Sequence, residues 1–106
     1  MATGRLGSAD LSAATNTSIY TVPSSTYAVL TVSICNRGNS PVNVRIALAA
    51  AGTPTTAEWI EYNTEILSKG VLERTGLIMQ EGKQLVIWSS GTNVSAVAYG
   101  IETSTI

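Results

Sequence analysis

The chain has 106 residues, 44% of them hydrophobic but only 12% charged, with six Lys and Arg against seven Asp and Glu and a formal net charge of −1. That length holds one domain with one modest core, and the charge content is half the ~25% of an ordinary globular protein. There is no basic cluster to grip nucleic acid and no apolar run near the ~20 residues of a membrane-spanning helix. The commonest general base and metal ligand is also missing, because the chain contains no histidine.

Residues 1–18 are small, polar and glycine-containing, with Leu6 and Leu11 as their apolar anchors. They read as a first edge strand around "RLGSADLS" or as an arm across a neighbouring copy, ahead of a β-sandwich domain over residues 19–106. "MATGRLGSADLSAATNTS" lacks the basic start and apolar stretch of a secretory leader. Cys35, the single cysteine, cannot form an intrachain disulfide. Both features lead to the expectation of folding in a reducing cytoplasm, with Cys35 as a small semi-apolar strand residue.

A strand over "SIYTVP" ends in "PSS". Then comes "VLTVSICNRGNSPVNVRIALAAAG", whose only charges are Arg37 and Arg45. Leu30, Val32 and Ile34 alternate with Thr31, Ser33 and Cys35; Val42, Val44, Ile46 and Leu48 alternate with Asn43, Arg45 and Ala47. With "RGNSP" as the turn, the two runs read as a hairpin whose outward face carries too little charge to meet water comfortably. "AGTPTT" leads into "EWIEYNTEI", which puts Ile60, Tyr62 and Ile66 on one face of a strand. A helix over "TTAEWIEYNTEIL", capped by Thr55 or Thr56, is the weaker alternative. "VLERTGLIM", "KQLVIWSS" and "VSAVAYGIET" follow, separated by "EGK" and "SGTN". Pro23, Pro41 and Pro54 all fall in breaks, as a sheet requires. About eight short strands make an all-β protein: a single β-sandwich of antiparallel strands or a small barrel, jelly-roll wiring included among its forms.

Catalytic patterns are absent. On one strand Glu61 and Glu65 would share a face with Trp59 at about 13 Å, beyond the ~5–9.5 Å of paired glycosidase carboxylates. Glu73 and Arg74 take opposite faces of the next strand, where a cross-strand ion pair is the expected fate. The "NTS" at Asn16 and "NVS" at Asn93 carry no meaning without a secretory signal. No phosphate loop or metal-ligand spacing occurs, so no catalytic, cofactor or metal residue is expected, and the chain does not read as an enzyme. Trp59, Trp88, Tyr20, Tyr27, Tyr62 and Tyr99 are all its aromatics; on strands they serve core or interface packing more often than sugar stacking.

Taken together, "LGSADLSA" (Leu6 to Ala13), "CNRG" (Cys35 to Gly38) and "VLERTG" (Val71 to Gly76) sit in a chain that, over essentially its whole length, resembles a family of small virion proteins of tailed bacteriophages. The pieces have no catalytic meaning. The resemblance implies a particle component, made in the host cytoplasm and located in the virion, whose uncharged faces are covered by identical neighbours or by the shell beneath.

Two roles follow from that resemblance. The first is a capsid decoration, or cement, protein: a homotrimer seated on the major capsid protein, with Leu6 and Leu11 gripping a neighbour and Arg37 and Arg45 pairing with partner carboxylates. The second is a tail-tip, baseplate or fibre module, contacting other tail proteins or host glycan. In it "RGNSP", "AGTPTT" and "SGTN" would form the reading edge, helped by Trp59 or Trp88. Decoration is favoured because no fibre-like repeat or attached domain is present.

Overall fold

In a strand, alternate side chains take opposite faces, so the apolar positions decide which face is dry. A computed structural model describes residues 2–106. Its strands are β1 (Thr3–Leu11), β2 (Thr17–Thr21), β3 (Thr26–Asn36), β4 (Val42–Ala49), β5 (Trp59–Ile66), β6 (Val71–Met79), β7 (Gln84–Ser89) and β8 (Val94–Ser104). In β3 the alternation is strict: Ala28, Leu30, Val32 and Ile34 are buried, while Tyr27 and Val29 are exposed.

Four antiparallel pairs nest inside one another: β1 with β8, β2 with β7, β3 with β6, and β4 with β5. The chain is thus one long hairpin with its tip between β4 and β5. Further pairing of β3 with β8 and of β4 with β7 rolls that hairpin up. The result is two four-stranded sheets, ordered β1-β8-β3-β6 and β2-β7-β4-β5, which is the wiring of a jelly roll. The all-β sandwich expected from alternation and turn spacing is the fold that forms.

Two local expectations are corrected, and one alternative falls away. The runs on either side of "RGNSP" do not form a hairpin. β3 and β4 lie in different sheets, and Ile34 and Ile46 both point into the shared core. Alternation specifies a buried face, and it does not specify a hydrogen-bonding partner. The helical alternative before β5 reduces to one 3-10 turn, Thr56–Glu58, where the Thr55 and Ala50 backbone N–H groups donate to the Glu58 carboxylate at 2.8 and 3.0 Å.

The second correction concerns β5 itself. Its register against β4 slips on both sides of Ile46, and Asn63 takes a left-handed φ of 56°. This bulge breaks the expected alternation, leaving Tyr62 57% exposed and apart from buried Ile66. It also takes Glu61 off any face shared with Trp59 and Glu65. Instead Glu61 pairs with Arg74 of β6, tying together the two strands that edge their sheets on the same side.

Between the two possibilities for the first residues, the fold has the edge strand: β1 runs hydrogen-bonded along β8 from Thr3 to Leu11. A bulge between Arg5 and Gly7 lets Leu6 pack against the core, and the sheets approach so closely there that a Cβ on Gly7 would lie 2.0 Å from the Ile19 carbonyl oxygen. At the end of β3, fully buried Asn36 organises three segments. Its side-chain nitrogen donates to the carbonyls of Ser40 (2.8 Å) and Ile66 (3.1 Å), and its oxygen accepts from the Gly38 N–H (3.0 Å).

Candidate functional site

The register places one unbroken apolar row on the outer face of the β1-β8-β3-β6 sheet. Ile78 of β6 stands opposite Val29 of β3, and Val29 stands opposite Ile101 of β8. These side chains are 69%, 36% and 48% exposed. Tyr27 lies on the same face, as does Tyr99, which is opposite Thr31. The charged side chains of this face are Arg5, Asp10 and Glu73. Glu73 accepts a hydrogen bond from the Tyr99 hydroxyl at 2.9 Å, and Asp10 accepts one from Arg37 at 2.5 Å. The hydrogen bond to Glu73 raises the Tyr99 hydroxyl above its ordinary range, so it stays a donor. Four strands of this length present roughly 500 Å² of sheet, and the exposed apolar row is the part of it that marks a candidate interaction site.

The opposite outer face, on β2-β7-β4-β5, has a different chemistry. Arg45 of β4 stands opposite Trp88 of β7, and the β5 bulge delivers Tyr62 and Asn63 to its other side. The guanidinium carbon lies 3.9 Å from the Trp88 ring centre and 4.2 Å from that of Tyr62, a cation between two π faces. Its Nε donates to the Asn63 side-chain oxygen at 2.8 Å. Tyr62 then meets Trp59 edge to face, with ring centres 5.6 Å apart. Trp59 in turn covers Ala47, Ala49 and Val86, which are fully buried beneath it. A row Trp88–Arg45–Tyr62–Trp59 therefore crosses this face, with an open hollow beside Thr56, Trp59 and Tyr62.

The loops divide between the two ends of the sandwich. "RGNSP" and "SGTN" meet and line a polar hollow with Asn36, Asn39, Ser90 and Asn93. The same end holds the turn after β5, where Lys69 Nζ donates to the Arg37 carbonyl at 2.7 Å and Ser68 Oγ to the Gly38 carbonyl at 2.9 Å. "AGTPTT" follows β4 and so lies at the other end. The single reading edge expected from all three loops does not exist, because "RGNSP" and "AGTPTT" flank opposite ends of one strand.

Of the residues singled out as contacts, Leu11 is 3% exposed and belongs to the chain's own core, so in this fold it grips no neighbour. Leu6 is partly buried against that core. Arg37 is bound to Asp10 within the chain, and Arg45 is held by rings and an amide rather than by a carboxylate. The row Ile78–Val29–Ile101 escaped the sequence reading. Its signal was present in "VLERTGLIM", where Leu77 and Met79 claim the inner face and leave Ile78 outside. Among the described residues, no three His, Cys, Asp or Glu side chains come together as a metal site would need, and no helix is long and apolar enough to cross a membrane. No protein-family model, curated protein or solved structure matches the chain.

Proposed function

We propose that this protein is a structural component of a tailed-bacteriophage virion: a decoration protein that stiffens the head shell through protein–protein contacts. The observation that carries the reading is the Ile78–Val29–Ile101 row, exposed apolar side chains standing opposite one another across three strands of one sheet face. Water solvates such a face poorly, and burying it against protein is favourable at about 25 cal/mol per Å² of apolar area. The charges of this face, Arg5, Asp10 and Glu73, lie outside the row, and Asp10 and Glu73 already accept hydrogen bonds from Arg37 and Tyr99. Docking on the row itself therefore strips little charge of water. The resemblance of "LGSADLSA", "CNRG" and "VLERTG" to small virion proteins supplies the class of partner: identical copies, as a trimer, and the major capsid protein.

A small gain per copy becomes large in a shell, where the same contact repeats hundreds of times against internal DNA pressure. The role is mechanical, and no side chain has a chemical step to perform. The tail-module alternative asked for the three loops to share one edge, and their separation to opposite ends removes that support.

Particles stripped of their decoration test the reading. Added protein should bind them at shell-like copy number and restore resistance to heat. Binding confined to tails, or absent, overturns it.

A further inference from the structure

We propose that the Trp88–Arg45–Tyr62–Trp59 row is a binding site for a carboxylate-bearing saccharide, independently of the role assigned to the opposite face. Arg45 is the centre of the argument. Its guanidinium lies between two rings and its Nε is committed to Asn63. Among the described residues no carboxylate lies within ion-pair distance of it, and its terminal nitrogens donate to no protein acceptor. The group is therefore held rigidly, with its outer edge unused, and that edge presents N–H donors in the fork that fits a carboxylate bidentately. Little conformational entropy remains to be lost when an anion arrives.

The surroundings select the rest of the ligand. Tyr62 is 57% exposed, and with Trp59 it borders the open hollow beside Thr56. Exposed rings in a shallow row are platforms for a flat ligand with polarised C–H groups, as a pyranose ring is. A protein anchor side chain would instead need a deep, desolvated pocket, and this face offers none. Glu58, which precedes Trp59 in the chain, is engaged by the Thr55 and Ala50 N–H groups. Glu65 sits one row further along, opposite Asn43. The sugar carboxylate thus meets Arg45 while its ring, or the next ring of the chain, lies on Tyr62 or Trp59.

Both tryptophans of the protein belong to this row, so fluorescence excited beyond the tyrosine absorption band reports on the site. The test is a titration of the full chain with tetragalacturonate and, separately, with its methyl ester, which keeps the rings and removes the charge. Fluorescence should change saturably with the acid, and the ester should bind at least about tenfold more weakly. Arg45→Met should lose the same factor, and Tyr62→Ala should weaken both ligands. If a variant proves unfolded by circular dichroism, Arg45→Lys replaces it: it keeps the charge, loses the fork, and should fall between the wild type and Arg45→Met. Equal affinity for acid and ester, or no change up to about 10 mM, overturns the proposal. So does a fluorescence response to stripped phage shells with none to the saccharide, which would make the row a protein contact.

Discussion

The buried amide of Asn36 donates to the Ile66 carbonyl at 3.1 Å, joining the end of β3 in one sheet to the end of β5 in the other. The same nitrogen reaches the Ser40 carbonyl, and the side-chain oxygen takes the Gly38 N–H. Replacement by Ala leaves the buried Ile66 carbonyl, and the partly buried Ser40 carbonyl and Gly38 N–H, without these partners. Asn36→Ala should therefore cost about 3 kcal/mol of unfolding free energy, measured by urea titration, and should loosen "RGNSP" by hydrogen exchange. A loss below about 0.5 kcal/mol would mean that water replaces the amide at no cost.

Acid sensitivity should centre in part on Glu102. Its carboxylate accepts from the Tyr20 hydroxyl at 2.5 Å and the Ala2 backbone N–H at 3.0 Å. The Tyr20 bond, then the Ala2 bond, holds its pKa below the usual range. The unfolded chain thus binds this proton at higher pH than the folded chain does. The stabilisation is complete above the ordinary Glu value of ~4.3 and disappears as pH falls through the lowered folded value. Glu58, lowered chiefly by its Thr55 backbone bond, acts in the same direction. Tyr20→Phe should flatten the acid limb of Tm against pH without abolishing it. An unchanged limb would remove Glu102 from the account.

Tyr20 itself gives the opposite limb. Burial first, and then Glu102, raise its hydroxyl pKa. That contribution is fully present below the ordinary Tyr value of ~10 and is lost as pH rises through the raised folded value. Alkaline melting curves of wild type and Tyr20→Phe should converge as the pH climbs above that ordinary value.

Gly100 stands opposite Leu30 in the β8–β3 pair, with no room for a side chain. An added Cβ would sit 2.1 Å from the Val29 carbonyl oxygen and 2.6 Å from Leu30 Cα. Both are backbone atoms, so a rotamer change relieves nothing. Gly100→Ala should cost about 3 kcal/mol. Gly52→Ala, which would meet only the Gln84 side-chain oxygen at 3.8 Å, should stay within about 0.5 kcal/mol. Paired thermal melts check both.

Ile78, 69% exposed, contributes little to the fold that its outward side chain leaves uncovered. Ile78→Lys should change stability by no more than about 0.5 kcal/mol, yet abolish binding to stripped particles by placing an unpaired charge in the contact. Normal binding by this variant would move the shell contact to another face. Deleting residues 1–12 is a poorer probe, because it removes β1 and the core residue Leu11 along with any contact.

Alternation of apolar and small polar residues, with turns and prolines between the runs, by itself determined an all-β chain and told which side of β3 would be dry; on β4 it named the inner side but not the burial of Ala47 and Ala49 on the outer side beneath Trp59. It did so because a strand's side-chain period is set by local backbone geometry. The lack of charge likewise announced faces that water does not favour. Only the tertiary structure decided that β3 and β4 part into different sheets, that β5 bulges at Asn63 to bring Tyr62 beside Arg45, and that Ile78, Val29 and Ile101 form one row. Those relations join residues far apart in the chain through register and strand order, which depend on the summed packing of all eight strands rather than on any local pattern.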